Sequence, residues 1–121
     1  MLLVDTSVWI DHLRKGDYAL AKALHDNLVI MHPDILGELA LGNLKDRSAV
    51  LSLLRNLPEA VVATDAEVQT MIEEQSLFGR GIGYIDAHLL AAVRLTPEAR
   101  LWTRDKRLKA VAGDLGLEAQ P

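Results

Sequence analysis

The most constraining feature of this chain is a short apolar run placed directly before residues that begin a helix, and repeated. Met1–Val4 is wholly apolar, and Asp5, Thr6 and Ser7 follow it, three good N-cap types ahead of Val8, Trp9, Ile10 and Leu13 at helical spacing. An apolar run without alternation fits a strand covered on both faces of a parallel sheet. The same order returns at Leu28–Met31, which leads through His32 and Pro33 into a helix expected from about Asp34 to Leu41, with proline suited to the first turn. It returns at Ala60–Ala63, where Thr64 and Glu67 form a capping box for a helix to about Gln75. It returns again at Leu101–Thr103, ahead of a helix over Lys106–Leu115, and Leu117–Ala119 reads as a short fifth strand.

Between these units lie three further helices: one capped by Asp17 and running to about Asn27, one over Arg47–Leu54 and one over Tyr84–Arg94. Gly79, Gly81 and Gly83 interrupt the pattern with a stretch that cannot be regular structure. The alternation predicts an α/β fold of three layers, α/β/α, around a central, mostly parallel sheet of about four to five strands with right-handed crossovers. At 121 residues the chain is expected to form a single domain over residues 1–121. The longest apolar runs are about five residues, so neither a membrane span nor a signal peptide is expected, and the protein is placed in the cytoplasm. With no cysteine, disulfides, thiolate zinc sites and cysteine nucleophiles are excluded.

In parallel sheets ligands bind beyond the carboxyl ends of the strands. Asp5 follows the first strand and Asp105 stands two residues after the fourth, though either aspartate taken alone reads first as an ordinary N-cap. Asp86 falls within the apolar stripe of Ile82, Ile85, Leu89, Leu90 and Val93, where a carboxylate needs backbone donors, an arginine or a cation to offset its desolvation. Glu38 borders the apolar face of Ile35, Leu36, Leu39 and Ala40 and, taken alone, reads as a boundary residue. Converging, the four acids would repel one another unless a divalent cation held them, and an all-oxygen set suits Mg²⁺ or Mn²⁺.

The segment Leu3–Ile10, Glu38, the segment Gly81–Leu90 and the strand end Leu101–Asp105 together resemble a PIN-domain ribonuclease, and more narrowly the VapC toxins of bacterial type II toxin-antitoxin modules. The resemblance implies a PIN-like fold and a metal-dependent endoribonuclease that hydrolyses RNA phosphodiester bonds. It implies that Asp5, Glu38, Asp86 and Asp105 are both the catalytic residues and the ligands of Mg²⁺ or Mn²⁺, with the hydroxyls of Thr6, Ser7 and Thr103 supporting them. It also implies a cognate VapB-type antitoxin as inhibitor, a homodimer, contact with DNA only through the antitoxin, and no membrane association. Where some relatives carry a further acid shortly after the fourth, this chain has Lys106, Arg107 and Lys109, which leaves one or two cations open. Attack by metal-activated water requires no histidine base, and His12, His25, His32 and His88 show no paired ligand spacing.

The net charge of −4 argues at first against a nucleic-acid partner, but the charge is uneven. Arg94 to Lys109 holds six basic and two acidic residues, net +4, leaving −8 elsewhere. Arg104, Lys106 and Arg107 from this stretch, and Arg80 among the glycines, are the expected RNA contacts; a solvated helix face is the alternative. Five aromatic residues are too few for a base-stacking platform, and Trp102 is expected in the core. Two other functions compete. A phosphoacceptor receiver domain shares the length and sheet but resembles a pair of adjacent acids after the first strand, where Asp5 is followed by Thr6, and a lysine after the last, which is absent. A PIN-like module that binds RNA without cutting it has no use for four mutually repelling acids.

Overall fold

A computed structural model describes residues 1–120. The chain runs β1 (Leu2–Val4), α1 (Thr6–Lys15), α2 (Tyr18–His25), β2 (Val29–Ile30), α3 (Pro33–Leu41), α4 (Arg47–Arg55), α5 (Asp65–Glu74), α6 (Tyr84–Leu95), β3 (Arg100–Trp102) and α7 (Lys106–Asp114). The sheet has the order β2-β1-β3, and both pairings are parallel. Every expected helix is present, and the capping chemistry read from the sequence sets the starts. Asp5, Asp17, Thr64 and Asp105 each accept a backbone N–H of the helix they precede, and Thr64 and Glu67 complete the reciprocal box.

The sheet is narrower than expected: three strands stand where the sequence suggests four to five. Ala60–Ala63 and Leu117–Ala119 approach the two edges through one parallel bridge each, Met31 with Glu59 and Leu101 with Glu118. The first segment departs because only its alanines are buried. Val61 and Val62 are 46% and 48% exposed, and the Val61 N–H donates to Thr96 Oγ1 at 2.9 Å instead of to a neighbouring strand. The second brackets a single residue, with Leu101 N–H donating to Leu117 and Ala119 N–H donating to Leu101, both at 2.8 Å.

β1 is central because it is the most completely apolar segment, with Leu3 and Val4 fully buried. Around it Val8, Trp9, Leu20, Ile35, Leu89, Leu90, Leu101 and Leu108 close one continuous core that joins both outer strands to all seven helices of the described residues, α4 through Leu51 and α5 through Val68. Trp102 belongs to that core, as expected. Among the described residues no helix is long and apolar enough to cross a membrane. The functional consequence of this packing is positional. The carboxyl ends of β1 and β3 lie side by side, and the N-terminal turns of α1 and α7 leave the sheet next to each other.

Candidate metal centre

Asp5 is the fixed point of the site. It is buried, 8% exposed, and its carboxylate accepts the Thr6 N–H on Oδ1 at 2.8 Å, and on Oδ2 the hydroxyls of Ser7 at 3.2 Å and Thr103 at 2.7 Å. Three donors on one carboxylate hold it in a single orientation and compensate its loss of water. Thr103, itself buried, reaches it from the end of β3, and the same Oγ1 accepts the Asp105 N–H at 3.1 Å. Ser7 Oγ in turn accepts the Arg104 N–H at 3.2 Å, so the two strand ends are laced together by side-chain hydroxyls.

Asp105 caps α7 through the Leu108 N–H at 3.0 Å and is exposed. Asp86, half-buried in the first turn of α6, accepts the Gly83 N–H at 3.0 Å. Burial pushes its carboxyl above the usual carboxylate range, the Gly83 donor works against that, and the negative charges of Asp5 and Asp105 push it further up. Glu38, exposed on α3, accepts the Thr6 hydroxyl at 3.0 Å and so stands beside the first turn of α1. The four acids named from the sequence therefore share one neighbourhood, and three of them lie at helix starts. The capping reading holds for Asp5 and Asp105, and Asp86 lies near enough to both to feel their charge. The exposed N–H groups and positive dipole ends of α1, α6 and α7 offset part of the repulsion.

The donors are carboxylate and hydroxyl oxygens, with no cysteine in the chain, which is the chemistry a hard divalent cation takes. As the side chains stand, no three of the described histidine, aspartate and glutamate residues form a group that could hold a metal ion. Each of the four acids is held by donors: Asp5 by the Thr6 N–H and two hydroxyls, Asp86 by the Gly83 N–H, Glu38 by the Thr6 hydroxyl and Asp105 by the Leu108 N–H.

The basic residues divide. Arg104 extends away from the acids, and its guanidinium pairs with Asp11 and Asp17 at the corner between α1 and α2. Arg80 pairs with Asp114 at 2.7 Å. Lys106 and Arg107 have no carboxylate partner among the described residues. Two residues set aside in the sequence carry structural work. His32, 1% exposed, is the N-cap of α3, accepting the Asp34 N–H on Nδ1 at 3.0 Å, and its Nε2 has no partner. His88 and Tyr84 both bond Asp65 at 2.9 Å, joining α6 to α5. The one signal for His32 was its place directly before a proline-started helix.

Beside Glu38 a groove of about 460 Å³ opens between Ile10 and Leu13 of α1 and Leu44 and Val50 near α4, with Arg14 and Lys45 at its rim.

A PIN domain family model matches residues 2–114. Ribonuclease VapC32 of Mycobacterium tuberculosis strain ATCC 25618 / H37Rv is 50% identical over 117 residues, covering 97% of this chain and 94% of the relative. Ribonuclease VapC32 of strain CDC 1551 / Oshkosh matches with the same identity and coverage.

Proposed function

The chain belongs to the PIN-domain family, among proteins of the VapC type, and from that premise we propose that it is a divalent-metal-dependent endoribonuclease, the toxin of a toxin-antitoxin pair. The observation that carries this reading is the position of Asp86. A half-buried carboxylate facing Asp5 and Asp105 is an unfavourable arrangement for a scaffold and a useful one for binding a cation.

In this reading Asp5, Glu38, Asp86 and Asp105 hold Mg²⁺ or Mn²⁺. The chemistry such a cation supplies is neutralisation of the phosphate and activation of water for attack on phosphorus. The chain's own residues prepare the place. Thr103 and Ser7 fix Asp5 through Oδ2, the Gly83 N–H fixes Asp86, and Thr6 holds Glu38 at the rim. Unpaired Lys106 and Arg107 give the RNA backbone a positive approach to an acidic site. A VapB-type antitoxin is the proposed inhibitor, and the groove beside Glu38 is the surface that suits an apolar segment from it. The protein acts as a single cytoplasmic domain and a homodimer, meeting DNA only through the antitoxin.

The test is RNA cleavage by the purified chain with Mg²⁺ or Mn²⁺, with EDTA, and after Asp5→Asn. Cleavage that needs the cation and disappears in a folded Asp5→Asn protein is the expected result. Equal cleavage by the variant, or in EDTA, would overturn the assignment.

A further inference from the structure

Four basic residues were expected to meet RNA, and the structure separates them by what each already holds. The Arg104 fork is filled by Asp11 and Asp17, and the Arg80 guanidinium by Asp114. Lys106 turns with Lys109 into a concavity at the β3 edge, lined also by Trp102 and Glu118. Arg107 goes the other way. Its side chain leaves the first turn of α7, which Asp105 caps, and lies across the backbone of Gly81. A Cβ built on Gly81 would stand 2.7 Å from Arg107 Cδ and 2.8 Å from Nη1, so the arginine rests in space that only glycine leaves open. Gly81 has a φ of +80°, a second reason for glycine there, and two residues later Gly83 donates to Asp86.

From this geometry we propose that Arg107, seated on Gly81, binds a backbone phosphate of the RNA at the rim of the acid cluster, between the elements that carry Asp105 and Asp86. Its planar fork has no carboxylate partner among the described residues, and phosphate is the acceptor that fork matches with two parallel hydrogen bonds. The Gly81 backbone supplies the flat support that keeps a long side chain in one direction. Arg104 and Arg80, by contrast, brace the fold.

This proposal rests on the ribonuclease reading, and its test separates the two. Binding of a mixed-sequence single-stranded RNA oligonucleotide is measured against salt, with Mg²⁺ and with EDTA, beside steady-state cleavage of RNA. Arg107→Gln should lower the salt slope of binding by about one and reduce kcat/KM by about tenfold, mainly through KM. Arg107→Lys should restore the slope but only part of kcat/KM, because it keeps the charge and loses the fork. Lys22→Gln, which removes the same charge from an ion pair on α2, should change neither. Gly81→Ala displaces the Arg107 side chain and should copy Arg107→Gln, and the double variant should be no worse than Arg107→Gln alone. Additive losses in the double variant would reduce Gly81 to a loop requirement and overturn the seating. An unchanged slope and KM in folded Arg107→Gln would overturn the phosphate contact. Wild-type binding without cleavage, still weakened by Arg107→Gln, would sink the nuclease reading and keep the contact; no RNA binding by the wild type would sink both.

Discussion

The Thr103 hydroxyl donates to Asp5 Oδ2 at 2.7 Å, joining the end of β3 to the end of β1 across 98 residues of sequence. It is a charge-assisted bond in a buried setting, and the same oxygen receives the Asp105 N–H, so one hydroxyl organises two of the four acids.

Replacing it with an isosteric methyl isolates its role. Thr103→Val should destabilise the protein by about 2 kcal/mol, the range for a buried bond to a charged group. Thr103→Ser should recover most of the loss. Urea unfolding of the two variants checks this; equal midpoints for wild type and valine would remove Thr103 from the account. Cleavage should fall in the valine variant even at temperatures where it remains folded.

At Asp86 activity and stability should move in opposite directions. The folded state holds this carboxyl above its ordinary pKa, chiefly through burial, so its ionised form is unfavourable in the metal-free protein. Asp86→Asn keeps an oxygen for the Gly83 N–H and removes the charge facing Asp5 and Asp105. The variant should melt at a higher temperature than wild type in EDTA and lose cation-dependent cleavage. A lower melting temperature would mean that the carboxylate is stabilising where it stands.

His32 gives the protein an acid-sensitive helix start. Burial holds its imidazole below the ordinary value of about 6.5, with the neighbouring Asp34 opposing that shift. The unfolded chain therefore takes up the proton first. The His32 contribution is complete above about 6.5 and is lost as pH falls through the lower folded-state value. Urea midpoints measured down this window should drop for wild type and stay flatter for His32→Asn, since asparagine also caps helices through an oxygen. Parallel curves would rule out His32 as the titrating group.

Arg104 should behave as a brace. Arg104→Gln leaves Asp11 and Asp17 unpaired at a partly exposed corner, a loss of about 1 kcal/mol at low salt that shrinks as salt is added. Asp17 is held below the usual carboxylate range, first by the Leu20 N–H and then by Arg104, so the Asp17 contribution is full above that range and disappears as pH falls through the lowered value. Chemical denaturation of wild type and variant at two salt concentrations tests this. A stability gap that does not narrow with salt would assign the loss to packing.

The strand ends and three helix starts were legible because both signals are local: an apolar run, then a capping residue. Asp5 and Asp105 could be placed on that basis, and Asp86 by its wheel position. What could not be read was long-range partnership. Nothing near Arg104 indicates that its partners are Asp11 and Asp17, about ninety residues away. Glu38 borders its helix face, and only the Thr6 hydroxyl from another element gives it a place in the site. Ala60–Ala63 read as a strand because all four residues are apolar, yet pairing depends on the neighbour across the gap, and Thr96 captures the Val61 N–H.

The sheet order also sets a timetable. β1, made first of the three strands, lies between β2 and β3, and one of its flanks stays open until residues 100–102 exist. A chain still emerging from the ribosome carries Asp5, Glu38 and Asp86 but neither the Thr103 hydroxyl nor Asp105. Its acids remain scattered while the most distant contacts wait to form, and such contacts are the slow part of folding. Assembly of the acidic cluster is therefore a late event, set by when the last strand and the start of α7 are made.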